Sequence, residues 1–256
     1  MKRQVMGSVA GMLLLTSGVV LAGRPLAVDD ADTVEPNQCE VEAGVRYVHD
    51  DDCKHWDVPF GITYGLVPYM DIGVGFEGQF EERMGLLEDG EGEDCVREHG
   101  QGDLVVGAKR QVVSQCPLGV RHALAGVVTF HTADDENGLG SVETDYDLMW
   151  VTSHSISEKA GVHLNLGYSW IGGPDNDVLH YGVALDYQIV EAVQWVGEVF
   201  AEEEITGGAE TIVQYNTGFR WSPVESLTLD MAGGSKISGD APDISGAAGL
   251  TWAFGL

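Results

Sequence analysis

The chain has little positive charge: 13 lysines and arginines stand against 41 aspartates and glutamates, for a formal net charge of −28 over 256 residues. A surface so negative repels phosphate backbones, which excludes nucleic acid as a partner. Long hydrophobic runs are also missing. The one apolar stretch, Met12 to Leu21, is shorter than the ~20 residues that a membrane-crossing helix needs. No later segment comes closer. Cysteine is sparse, and Cys39, Cys53, Cys95 and Cys116 form no CxxC pair, which argues against a zinc or redox motif. No GxSxG elbow is present either.

Lys2 and Arg3, the apolar run and the small-residue end Val20-Leu21-Ala22 read as a signal peptide over residues 1–22. Its removal takes away two basic residues and no acidic one, moving the net charge from −28 to −30. Residues 23–37, GRPLAVDDADTVEPN, are polar, proline-bearing and aperiodic. They suggest an extended periplasmic N-terminal segment, one that could also plug the barrel.

From residue 38 onward the pattern has period two. Cys39, Val41, Ala43, Val45 and Tyr47 alternate with Glu40, Glu42, Gly44 and Arg46. Trp56, Val58, Phe60, Ile62 and Tyr64 do the same, as do Val162, Leu164, Leu166, Tyr168 and Trp170. Because successive strand side chains point to opposite faces, such runs are strands with one apolar and one polar side. About twelve of them are countable, each near the 9–11 residues that a tilted strand needs to cross a bilayer.

The connections fall into two alternating classes. Residues 49–54, 81–102, 131–142, 172–177, 202–210 and 233–243 are longer and polar, while 66–69, 190–192 and 222–226 are short. Long loops on one side and tight turns on the other mark an outer-membrane barrel. Aromatics such as Tyr47, Trp56, Tyr64, Trp170, Trp195, Trp221, Trp252 and Phe254 cluster at strand ends, as interfacial girdles do. The fold expected for 38–256 is an all-β, closed, antiparallel up-and-down barrel in a Gram-negative outer membrane, both termini periplasmic. A soluble sandwich or lipocalin-like barrel also alternates, with its apolar face inward. Twelve strands, however, enclose too wide a space for apolar side chains to fill.

Several segments, GRPLAVDDADTVEPNQCEVEAG (23–44), GITYGLVPYMDIGVG (61–75), GDLVVGAK (102–109) and GLGSVETDYDL (138–148), resemble a family of bacterial outer-membrane barrel transporters named for the MetA pathway of phenol degradation. The resemblance covers nearly the whole chain after residue 22 and implies uptake of small aromatic or otherwise apolar compounds. This chain departs from the family in its cysteines and its acidic loops, and in ending Phe254-Gly255-Leu256 instead of on an aromatic. Recognition by the barrel-assembly machinery would then fall to Phe254.

The polar face places Glu40, Glu42, Arg46, Asp71, Glu77, Asp103, Lys109, Asp145, Asp147, His163, Asp186, Glu198, Arg220 and Asp230 in the lumen. Two readings stay open. In a water-filled channel the carboxylate excess favours cations. In a plugged barrel Arg46, Lys109 and Arg220 pair with neighbouring carboxylates. Acid clusters at 50–52, 88–94, 134–136 and 202–204 lack EF-hand spacing. They suit loose Ca²⁺ or Mg²⁺ bridging to lipopolysaccharide, with no dedicated metal site or cofactor. Cys53 and Cys95 fall on outer loops and Cys39 and Cys116 at the periplasmic end, so pairing 53 with 95 and 39 with 116 keeps each bond on one side.

An enzyme acting on lipid or peptide is the competing class. His163 and Asn165 share the lumen face with no serine in sequence beside them, and His131 with Asp134 and Asp135 is the visible candidate at the outer rim. A structural barrel without transport is the third. The solute itself is not legible.

Overall fold

Strict alternation over long stretches allows the backbone only one economical arrangement, a sheet with every hydrogen bond made between strands. The computed structural model describes residues 23–50, 53–86, 93–113, 116, 119–133, 140–141, 143–174, 176–205 and 210–256, without the side chains of 50, 53 and 77–98. The expected signal peptide lies outside these residues. Among them no helix is long and apolar enough to cross a membrane.

Thirteen antiparallel strands follow one another: β1 (Gln38–Asp50), β2 (Cys53–Val67), β3 (Met70–Leu86), β4 (Glu93–Gln101), β5 (Leu104–Val113), β6 (Val120–Phe130), β7 (Asp145–Ser157), β8 (Ala160–Trp170), β9 (Val178–Val190), β10 (Val193–Glu204), β11 (Ile212–Val224), β12 (Leu227–Ser238) and β13 (Ile244–Gly255). Each pairs with its neighbour, and β1 pairs with β13 from Gln38↔Gly255 to His49↔Ile244. The sheet therefore closes into a ring, and among the described residues only β4, paired with β3 alone, keeps an edge outside it.

The ring nevertheless holds twelve strand positions. β3 pairs with β5 from Met70↔Arg110 to Gly75↔Val105, and farther along with β4 from Gly78↔Gln101 to Leu86↔Glu93. β4 and β5 are thus two halves of one wall position, interrupted at Gly102-Asp103. This corrects the expected loop at 81–102, most of which is strand. The 49–54 loop shrinks likewise, since β1 runs to Asp50 and β2 begins at Cys53. Alternation persists weakly through both acidic stretches, but the charges concealed it. At 17 residues β3 is longer than a bilayer crossing requires, so its far end projects as a hairpin with β4.

Two-residue turns at 68–69, 158–159, 191–192 and 225–226 lie at one end, with the start of β1 and the end of β13; the connections 131–144, 171–177, 205–211 and 239–243 lie at the other. The two classes of connection segregate as their lengths imply.

Burial shows which face is which. Trp56, Leu164 and Leu166 are 45%, 50% and 55% exposed, whereas their neighbours Asp57 and Asn165 are 0% and 7% exposed. Lys109, Gln111, Ser153, Glu198 and Asp230 are buried as well. A water-soluble barrel would have the opposite arrangement. Polar groups inside and an apolar belt outside suit a barrel whose outer solvent is lipid.

Candidate functional site: a filled lumen

Eight strands make a barrel whose interior side chains just meet, and twelve leave a wider space. Here residues 23–36 occupy it. This corrects the expected periplasmic placement of that segment in favour of the alternative, a plug. The segment is aperiodic because each of its residues meets a different part of the wall, and that same aperiodicity disguised it as a tail.

An extended segment away from a sheet must still satisfy its backbone N–H and C=O groups. Here the barrel wall supplies the partners. Glu198 accepts from the N–H of Ala27 at 2.9 Å and of Val28 at 2.7 Å, and Asn216 steadies it at 2.6 Å. Ser153 Oγ accepts from Ala31 N–H at 2.8 Å, while Gln111 donates to the Ala31 carbonyl at 3.0 Å. Asp71 accepts from Val34 N–H at 3.0 Å, and Arg220 donates to the carbonyls of Gly23 and Arg24.

Ion pairs add to this. Arg24 reaches Asp230 at 3.2 Å, Lys109 reaches Asp29 at 3.0 Å, and Arg121 reaches Asp32 at 2.8 Å. Burial pushes the Asp29 carboxyl up, to about 7, against the opposing pull of Lys109. Asp29 has almost no water to fall back on, and Lys109 is the group that favours its charged form. Apolar contacts complete the seat: Leu26 and Val28 pack with Ala184, Val196 and Phe200, and Ala31 with Ala123 and Val151. Gly44 and Gly249 lie against the Arg24 guanidinium, where an added methyl would overlap it.

One chain of hydrogen bonds links the two ends of this seat. Ser153 contacts His163 at 2.8 Å, His163 contacts Asp186 at 2.7 Å, Gln194 bridges Asp186 at 2.9 Å, and Arg220 reaches Gln194 at 3.2 Å. The structure thus corrects one expectation, because a serine does stand beside His163. Ser153 comes from β7 and His163 from β8, opposite each other in register. Yet Ser153 is fully buried and already takes the Ala31 N–H. In this arrangement the trio holds the segment and has no exposed nucleophile.

The expected lumen residues separate into three groups. Asp71, Lys109, His163, Asp186, Glu198, Arg220 and Asp230 meet the segment or the chain of bonds behind it. Glu42, Arg46 and Asp147 line a chamber beyond it, with Arg46 on Asp57, Asp147 on His180 at 2.6 Å, and Thr251 on Glu42 at 3.2 Å. Glu40, on β1, is half-buried. Asp103 and Asp145 bind loops at the far end instead: Asp103 accepts from the N–H groups of Thr132, Ala133 and Ser141, and Asp145 from Ser141 Oγ and Gly172 N–H. A strand-end carboxylate beside unpaired loop amides is better placed there than in the lumen. The Glu77 side chain lies outside the described residues. Asp29, Arg24, Asp57, Gln111, Arg121 and Ser153 were not singled out from sequence; Asp57 was visible on the polar face of its strand, but its partners were not.

Cys39 and Cys116 are free, which corrects the second expected bond. Cys39 opens β1 and Cys116 follows β5, three wall positions away, or about 14 Å at the usual strand spacing. The side chains of Cys53 and Cys95 lie outside the described residues. So do Asp134 and Asp135; the His131 ring meets the Ser141 carbonyl.

The chamber has a volume of about 170 Å³. Leu26, Val28, Met149 and Phe200 contribute its apolar surface; Glu42, Asp147, His180, Glu202 and Gln214 contribute polar groups. Among the described residues no cluster of His, Cys, Asp or Glu has the makings of a metal site.

Comparison with known proteins agrees with this architecture. The COG4313 outer membrane channel from Pseudomonas putida F1 is similar at 14% identity and a TM-score of 0.65, over 88% of this chain and 98% of that one. The NanC porin aligns at 8% identity and a TM-score of 0.59, over 84% and 98%. The CymD monoaromatic hydrocarbon channel aligns at 10% and 0.53, over 87% and 90%. At such identities the likeness concerns the fold, that of an outer-membrane β-barrel. No curated protein is matched by sequence. A family profile does match, over residues 10–246, and the chain belongs to that family, Uncharacterised conserved protein UCP029691.

Proposed function

We propose that the protein is an outer-membrane channel for small solutes, closed at rest by its own residues 23–36. The observation that carries this reading is an inverted barrel of twelve strand positions whose polar interior is occupied by an extended segment outside the barrel strands. A purely structural barrel has no need of a chamber on one side of such a segment. In a channel the chamber is the waiting site and the segment the gate.

Small apolar or aromatic compounds are the solute class that the chamber suits. Its 170 Å³ is close to the ~150 Å³ of an engineered apolar cavity that takes up benzene. The likeness in fold to a channel named for monoaromatic hydrocarbons points the same way. Glu42, Asp147 and Glu202 on the chamber wall favour cations over anions once water enters. The turn end, with both termini, faces the periplasm, and the acidic loop end faces outward, where divalent ions bridge it to lipopolysaccharide. The assembly machinery reads Phe254.

Planar-bilayer recording tests the proposal. Wild-type protein should conduct rarely, and a variant lacking residues 23–36 should stay open with cation preference. A folded deletion variant that passes no current would refute the channel.

A further inference from the structure

Glu202 and Gln214 both line the chamber and are 7% and 4% exposed. Among the described residues, Glu202 Oε2 and Gln214 Nε2 have no hydrogen-bond partner. The two residues stand on adjacent strands: Gln214 is opposite Phe200, and Glu202 is two residues farther along β10, so both point inward beside the same ring. One acceptor and one donor are therefore left over at the edge of an apolar surface. Leaving buried polar atoms unpaired is costly, and a bound group that satisfies both recovers that cost.

The neighbouring polar groups do not supply the missing partners. Arg24 is held by Asp230, Arg46 by Asp57, His180 by Asp147, and Asn216 by Glu198.

We infer that the chamber binds a small neutral alcohol. Its hydroxyl donates to Glu202 Oε2 and accepts from Gln214 Nε2, and its apolar body lies against Phe200, Leu26 and Val28. A hydrocarbon of the same shape leaves both protein atoms unpaired. An ammonium group satisfies Glu202 but turns a second donor toward Gln214. A carboxylate has no hydrogen to offer Glu202 Oε2. Selectivity therefore arises from the side that loses a hydrogen bond, the more discriminating way to build a pocket. This inference names the solute of the proposed channel, but it depends only on the chamber and not on conduction.

Ligand-observed NMR on the purified, plugged wild-type protein in detergent provides the test, with benzyl alcohol, toluene, benzylamine and benzoate as probes. Gln214→Leu and Glu202→Leu are compared in parallel, their folding checked by heat-dependent gel mobility. Benzyl alcohol should bind about tenfold more tightly than toluene, the value expected for one well-made hydrogen bond. Each variant should lose that preference while still binding toluene. Equal binding of alcohol and toluene to wild type would overturn the inference, as would tightest binding of benzylamine or benzoate, or a preference unchanged in both variants. Because binding is read with the lumen closed, failure here leaves the conductance result standing, and the converse also holds.

Discussion

Glu198→Ala should release the N-terminal segment while leaving the barrel intact. The Glu198 carboxylate accepts from Ala27 N–H and Val28 N–H and from Asn216. Alanine at this position leaves two backbone donors and one amide without a partner in a buried place. Charge-assisted hydrogen bonds contribute about 1.5–3 kcal/mol each, but water entering the gap recovers part of that, so about 3 kcal/mol is a reasonable net loss of docking. Since 1.4 kcal/mol is a factor of ten, the undocked population should rise by roughly two orders of magnitude. Single-channel recording reads this directly as open time. Glu198→Gln keeps an acceptor at the same reach and should fall between the two. If Glu198→Ala gates like wild type while the deletion of 23–36 is open, Glu198 does not hold the segment. If the variant loses heat-resistant folding instead, Glu198 belongs to the wall alone.

Lys109→Met should also loosen the segment, because it strands Asp29 at 1% exposure, and Asp29→Asn in the same chain should restore much of the docking; a double variant worse than either single one would contradict the pairing. The Lys109→Met defect should deepen as the pH rises, since a lone buried Asp29 keeps its place by holding a proton that the free segment has already lost; protease accessibility of residues 23–36 between pH 5 and 8 measures it. Leu166→Lys, on the outer face, should destabilise the barrel by about 2–4 kcal/mol in denaturant titrations from lipid vesicles, whereas a small effect would mean that Leu166 does not meet hydrocarbon. Under denaturing, non-reducing conditions Cys39 and Cys116 should both react with maleimide; a peptide joining them in mass spectrometry would overturn their separation.

Period-two patterning was enough to deduce a closed, inside-out barrel with twelve wall positions, because a strand's alternation depends on local residues and the bilayer constrains the rest. The turn end was legible for the same reason, in the short connections 66–69, 190–192 and 222–226 between alternating runs. Alternation reports the face of a side chain and says nothing of its partner. Lys109 and Glu198 were assigned to the lumen from sequence, but their partners, Asp29 and the amides of Ala27 and Val28, lie 80 and about 170 positions away and carry no pattern. Only tertiary structure could join them. Closing twelve strands creates a space that the wall's own side chains do not fill, and the aperiodic segment that looked like a tail is what completes it.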